Sequence, residues 1–358
     1  MRDLILSKVH ESLGGKMVDY AGFNMPVQFD GVKLEHNYVR ESVGVFDVSH
    51  MGEIFISGTE SFKFLQFITS NDISKLSIGK VQYSCLPNKN NGIVDDILVY
   101  MLAESSYMLV VNASNLEKDF NWLKENNSFD CKILNKSNDY SLLAVQGPNS
   151  LKLLMELSSE DLSSIKYYNF IIGNIAGIND VIISRTGYTG ELGFELYVKN
   201  ENVLLLWDKL FNCDTILKPI GLAARDTLRL EKGFCLYGND INDSTSPLEA
   251  NLSWITKLST KFINSENLKI QKEDGIKKLL IGFEVIDKGI ARGGYSVYNS
   301  DGLDIGIVTS GTMSPTLNKA IGLAYINIAY LNNDHKDLYI QVRNKKILAK
   351  IVTLPFVK

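Results

Sequence analysis

Cysteine, histidine and proline are scarce in this chain, no apolar run is long, and charge of neither sign dominates. Cys85, Cys131, Cys213 and Cys235 are the only cysteines among 358 residues. They form no Cys-x-x-Cys pair, which excludes a disulfide framework and a thiolate zinc site and leaves reduced, mostly buried thiols of the kind a cytoplasmic protein keeps. His10, His36, His50 and His335 are equally scattered, so no metal is expected. The 37 basic and 41 acidic side chains nearly cancel, leaving −4. That balance gives neither nucleic acid nor an acidic membrane surface a reason to bind. No stretch approaches about 20 apolar residues, and the start, MRDLILSKVHESLGG, has no apolar targeting core, so no membrane span is expected. Neither a Walker loop nor a dinucleotide-binding glycine loop is present.

What the chain does hold is size, alternation and glycine. Its length suits two or three domains, and 45% hydrophobic with 22% charged residues is the composition of a globular protein. The most informative stretch is GIVDDILVYMLAESSYMLVVN, residues 92–112, which reads as a β-hairpin turning at Glu104–Ser106. Alternation sends Asp95 and Asp96 to opposite faces: Asp96 with Val94, Leu98 and Tyr100, Asp95 with Ile97 and Val99. Aspartate is depleted in strands and rarely buried. Two readings stand: a pair held by solvent and backbone N–H groups, or one functional carboxylate in a pocket beside Tyr100.

Elsewhere, glycines among aromatics in residues 12–31 read as loops and short strands, and Glu35 to Glu41 as a short helix. Gly44 to Gly58 enters a strand through a tight loop holding His50; a lone loop histidine is usually structural. Thr59 to Thr69 reads as a helix capped by Thr59, and Asn115 to Asn126 as another. In Ile183 to Val198, strands flank a turn with Gly187, Gly190 and Gly193, putting Phe194, Leu196 and Val198 on one face and Glu195 and Tyr197 on the other. The glycines serve either the turn alone or the approach of a flat ligand. Gly221 to Lys232 is a helix closed by Gly233. Arg225, Arg229 and Lys232 share one face of it, either solvated or clamping an anionic tail. From about Leu279, short strands with glycine turns signal an all-β module, bounded by the polar segment Ser265 to Lys278.

Taken together, KMVDYAGFNMPVQF (16–29), RESVGVFDVSHMGEI (40–54), GIVDDILVY (92–100), VVNASNLEKDFNW (110–122), RTGYTGELGFE (185–195), GLAARDTLRLEKGFCLYGND (221–240) and IGIVTSGTMSPTL (305–317) resemble, in order and over nearly the whole chain, the T-protein family of the glycine cleavage system. The resemblance implies an α+β fold. Two α+β domains with antiparallel sheets (residues 1–275) and a C-terminal β-barrel-like domain (276–358) would surround a central folate-binding hole. It implies a tetrahydrofolate-dependent aminomethyltransferase, acting as a monomer in transient complex with the lipoylated H protein. The aminomethyl group on the lipoyl arm would give ammonia and 5,10-methylenetetrahydrofolate. By the same resemblance Asp96 is the catalytic carboxylate, and Met51, Tyr83, Tyr100, Asn112, Tyr188, Glu195 and Arg225 line the folate site, with Arg229 a weaker candidate. Ala223 stands where the family usually has glycine. A related folate-binding protein of iron–sulfur assembly, without transferase activity, is the alternative. Its Lys-Gly-Cys-Tyr-type stretch is matched only loosely by Lys232, Gly233, Phe234 and Cys235.

Overall fold

The alternating segments form strands that pair almost entirely antiparallel; the parallel pairs are Arg2–Asp3 with Phe23–Gln28 and Lys218–Pro219 with Gly44–Asp47. The computed structural model describes residues 1–331 and 337–358, and His335 lies outside them. The chain divides into two units. One comprises Met1–Leu65, Ile73–Tyr83 and Ile97–Asp226, the other Gln66–Asp72, Ser84–Asp96 and Thr227–Lys358.

In the first unit a six-stranded sheet runs in the order Phe170–Ile175, Ile178–Ser184, Gly193–Lys199, Tyr140–Gln146, Gly44–Asp47, Lys218–Pro219. Its apolar face carries Phe194, Leu196 and Val198, as their alternation requires, and packs with Leu143, Val145, Leu206 and Trp207 into one core. Full burial of each such side chain contributes roughly 1.5–3 kcal/mol. On the opposite face, register sets Ser184 beside Glu195 and Glu195 beside Ala144, with Ile182, Tyr197 and Leu142 in the next row.

A five-stranded sheet has the order Val81–Pro87, Ile93–Ala103, Ser106–Val111, Gly52–Ser57, Lys132–Asn135. The expected hairpin is present, with a tighter turn: Ala103 pairs with Ser106, and Ser105 takes φ +55°. The helix expected from Thr59 starts later, at Ser61–Ile68. Thr59 does not cap it, because its hydroxyl donates instead to Asp130 (2.8 Å). The helix Leu222–Glu231 follows Gly221, whose N–H donates to the buried carboxylate of Glu35 at 2.7 Å. That carboxylate also accepts from the N–H groups of Phe29 and Gly31. A Cβ at Gly221 would lie 2.3 Å from the Val27 carbonyl oxygen, so glycine is required there.

The second unit holds a closed barrel, ordered Lys278–Val285, Lys319–Asn327, Asp304–Ser314, Ser296–Tyr298, Asp337–Val342, Lys345–Val352. Phe283, Val297, Ala324, Ile326, Ile340 and Ala349 fill its interior. The polar segment before it contains the helix Ser265–Asp274, which ends before Gly275 at φ +90°. Arg229 is not on a solvated stripe. It is 1% exposed, and its guanidinium donates to Asp240 (2.7 Å), Ser310 (2.8 Å) and the Phe234 carbonyl (2.9 Å). Glu231, also buried, accepts from the hydroxyls of Ser314 and Thr316. These bonds hold the barrel strand Asp304–Ser314 and the following turn to the chain before it.

Candidate active site

The polar face of the six-stranded sheet carries a buried hydroxyl–carboxylate network. Thr186 Oγ1 donates to Glu195 Oε2 at 2.5 Å, and Tyr197 OH donates to the same oxygen at 3.5 Å. Tyr100 OH donates to Ser184 Oγ (3.1 Å) and lies 2.9 Å from Tyr197 OH and 3.3 Å from Thr186 Oγ1. Tyr100 and Tyr197 are wholly buried, ring centroids 5.5 Å apart. Burial pushes the Glu195 carboxyl above its ordinary range, against the hydroxyl of Thr186 and the charge of Arg225, which favour ionisation. The phenol of Tyr197 is raised by burial and by Tyr100 and Glu195 around it.

Arg225 sits on the first turn of its helix, with its guanidinium 4.7 Å from the centre of the Tyr188 ring, a cation–π contact. Its Nη1 is buried without a hydrogen-bond partner among the described residues. Tyr188 is held by a loop whose glycines have two distinct reasons. Gly190, at φ +76°, serves the turn. Gly187 and Gly193 close on Gln146 instead: a Cβ at either would stand 2.1 or 2.4 Å from atoms of that side chain. Gln146 in turn donates to the carbonyls of Thr186 and Phe194 and accepts from Thr189. Arg40 ties down the loop through the Thr189 carbonyl (2.7 Å) and Glu191 (2.9 Å).

His50 is 4% exposed and meets the rings of Tyr20 and Phe23 edge to face. Burial, then the positive charge of Arg225, lowers its pKa to about 4, with Asp47 opposing. It is therefore a neutral imidazole at neutral pH. Met51, half-buried, lines a pocket with His50, Arg2, Phe23 and Ser49. Asn112 follows the strand Ser106–Val111, and its carbonyl accepts from Asn115 N–H. Asn112 and Tyr83 are half-buried.

The first unit thus joins Tyr100, Glu195, Arg225 and Tyr188 through contacts and electrostatics. Glu53 was not signalled by the sequence. It is 1% exposed, and neither carboxyl oxygen has a hydrogen-bond partner among the described residues. Asp96 belongs to the second unit, half-buried, while its neighbour Asp95 is wholly buried. There the thiols of Cys85 and Cys235 are raised by burial, with the Asp96 charge adding to the effect. No group of three or more His, Cys, Asp or Glu side chains among the described residues is placed to hold a metal ion. No helix among them is long and apolar enough to cross a membrane.

The fold is mixed α+β with a C-terminal barrel, and its first unit carries a buried carboxylate, Glu195, together with the Arg225–Tyr188 pair. The sequence profile described as the GCVT N-terminal domain matches residues 6–260, and that of the glycine cleavage T-protein C-terminal barrel domain matches 278–358. The aminomethyltransferase of Flavobacterium psychrophilum is 54% identical over 360 residues, all of both chains. That of Thermosipho melanesiensis is 49% identical over 353 residues, 98% of this chain and 96% of its own. The crystal structure of glycine cleavage system aminomethyltransferase T from Bartonella henselae superposes with TM-score 0.93 at 32% identity, covering 99% of this chain and 98% of its own. The chain belongs to the glycine cleavage T-protein family, and it is an aminomethyltransferase.

Proposed function

We propose that the enzyme takes its one-carbon unit from an aminomethyl group on the lipoyl arm of the H protein and passes it to tetrahydrofolate. Ammonia, the dihydrolipoyl H protein and 5,10-methylenetetrahydrofolate are the products. The observation that carries this reading is Glu195: a buried carboxylate whose Oε2 is fixed by Thr186 and Tyr197, with Arg225 acting on it electrostatically. A pterin presents an N–H and an NH2 side by side, and a carboxylate accepts from both. Tyr188, Tyr83, Met51 and Asn112 supply ring and polar contacts. Tyr100, wholly buried, holds the hydroxyls that hold Glu195. Arg225 receives an anionic group of the ligand on its buried Nη1.

In the reaction, N5 of the folate takes the carbon as its bonds to nitrogen and to the lipoyl sulfur break, releasing ammonia and the dihydrolipoyl thiol, and an iminium-like cation develops on the carbon in transit. Asp96 orients the folate and, where ionised, stabilises that cation, or relays a proton as N10 closes the ring. The enzyme acts as a monomer in transient complex with the H protein. Its cysteines are free thiols, in keeping with the cytoplasm, where we place it. The iron–sulfur alternative needs a reactive thiol near Gly233. Cys235 is buried and its thiol is raised well above the ordinary range, the opposite of an activated nucleophile.

Ligand binding to the native state alone raises the melting temperature as ligand concentration rises. Tetrahydrofolate is expected to do so without added metal; an unchanged melting curve at saturating tetrahydrofolate would refute the reading.

A further inference from the structure

Several buried carboxylates among the described residues are generously paired, and Glu53 is not. Glu35 accepts from three backbone N–H groups. Asp47 meets His10 and Ser49, Asp240 meets Arg229, and Glu231 meets Ser314 and Thr316. Glu53 is as deeply buried as these, yet both its oxygens lack a hydrogen-bond partner among the described residues. Only its backbone is anchored, its N–H to Ser137 Oγ (2.9 Å) and its carbonyl to Lys136 N–H (2.9 Å). Buried polar groups are hydrogen-bonded in the great majority of cases, and a group left unmade costs stability. An orphan of this kind at a candidate site calls for a ligand.

Register shows where the side chain goes. Glu53 pairs with Val110, and Val110 with Leu98, so these share one face of the five-stranded sheet. One step along that face lie Phe55, Met108 and Tyr100. Tyr100 reaches Tyr197, which bonds Glu195, and the Tyr197 phenol is raised by burial, by Tyr100 and Glu195 and, least, by Glu53. Lys136, whose backbone N–H bonds the Glu53 carbonyl, places its ammonium over the Phe55 ring, 5.1 Å from its centroid.

We propose that Glu53 is a further specificity-determining residue of the ligand pocket, pairing with a donor–acceptor edge of the bound pterin that Glu195 does not take. This rests on the folate reading above. The chemistry separates the two carboxyls. An ionised carboxylate matches an edge with two donors, whereas a neutral carboxylic acid, one donor and one acceptor, matches an edge with one of each. Glu53 is desolvated with no cation beside it, so it keeps its proton well above the ordinary carboxylate range. Of the titratable groups near it, Tyr100 lies one step along the same face and Tyr197 is raised in part by it; neither favours its ionisation.

The test is a tetrahydrofolate titration of the parent enzyme, Glu53→Gln and Glu53→Leu from about pH 6 to about pH 10, because burial holds the Glu53 carboxyl well above its ordinary range. The amide keeps one donor and one acceptor, so Glu53→Gln is expected to bind within about threefold of the parent near neutrality. Glu53→Leu is expected to bind roughly tenfold to hundredfold more weakly, the loss of that pair of buried hydrogen bonds. As pH rises, the parent loses affinity relative to Glu53→Gln, because only the carboxyl ionises. Equal affinity of Glu53→Leu and parent, equal losses in both variants, or a parent-to-Gln ratio flat across the whole range would each overturn the assignment. Should Glu53→Leu fail to fold, that ratio still decides. A parent that binds no tetrahydrofolate refutes the folate reading itself, a result distinct from these.

Discussion

At the scale of single residues, the site is a set of carboxyls given different states by their surroundings. Glu195 is held by hydroxyls and acted on by Arg225. Its replacement, Glu195→Gln, puts a donor against a donor of the ligand and is expected to weaken tetrahydrofolate binding by about 1.5–3 kcal/mol, more than it slows the bound-state reaction; calorimetric titration beside single-turnover kinetics checks this. His50 makes a separate prediction about pH. Its folded pKa is lowered from 6.5 to about 4, so below pH 6.5 the unfolded chain takes up a proton that the folded chain refuses. Stability is therefore full above about 6.5, falls as pH drops towards about 4, and loses no more to this group below that. The loss is up to roughly 3 kcal/mol. Melting temperatures across that window should slope less in His50→Gln than in the parent. Alternation made the Glu195 and Tyr197 face legible in the sequence. Glu53 was illegible for a physical reason: Ile54 and Ile56 mark the inward face of their strand, and nothing local shows that the opposite face is covered too.

At the scale of elements, charges on a helix take their meaning from what packs against them. Arg225 and Arg229 lie one turn apart on Leu222–Glu231, yet Arg225 meets Tyr188 while Arg229 is committed to Asp240. Asp240→Asn leaves a buried guanidinium without its counter-charge, which typically costs about 3–5 kcal/mol; denaturant unfolding should show it as a lowered midpoint. The loop before Glu195 is a second case. Spacing alone left its glycines open between turn and ligand, and the answer lies in Gln146, a residue far away in the chain that fills the space beneath Gly187 and Gly193. Gly187→Ala forces that side chain aside and is expected to cost about 1–3 kcal/mol, read from the same unfolding curves. Helix starts were less legible than helix existence. The Thr59 hydroxyl was drawn off by Asp130, a partner no local window contains.

At the scale of the molecule, the barrel announced itself by a change in pattern near residue 279, and its first strand begins at Lys278. The segment carrying Asp95 and Asp96 gave no such notice of its company. Ser84–Asp96 groups with Thr227–Lys358, joined by bonds such as Asn88 Nδ2 to the Asp243 carbonyl (2.8 Å) and Ile93 N–H to the Asn242 carbonyl (3.1 Å). The long sequence separation of these partners hides them from composition and periodicity. Within that segment the two carboxylates have different surroundings, Asp95 wholly buried and Asp96 half-buried. Asp95→Asn is thus expected to lower the melting temperature and spare turnover. Asp96→Asn is expected to fold as the parent does and to lose most of its turnover. Ammonia release from aminomethylated H protein, with and without tetrahydrofolate, in the parent and in Asp96→Asn, tests the proposed transfer most directly. Rapid release by the parent is expected only when tetrahydrofolate is present, with 5,10-methylenetetrahydrofolate formed in equal amount, and little by Asp96→Asn. Release by the parent that ignores tetrahydrofolate, or full activity in Asp96→Asn, would contradict it.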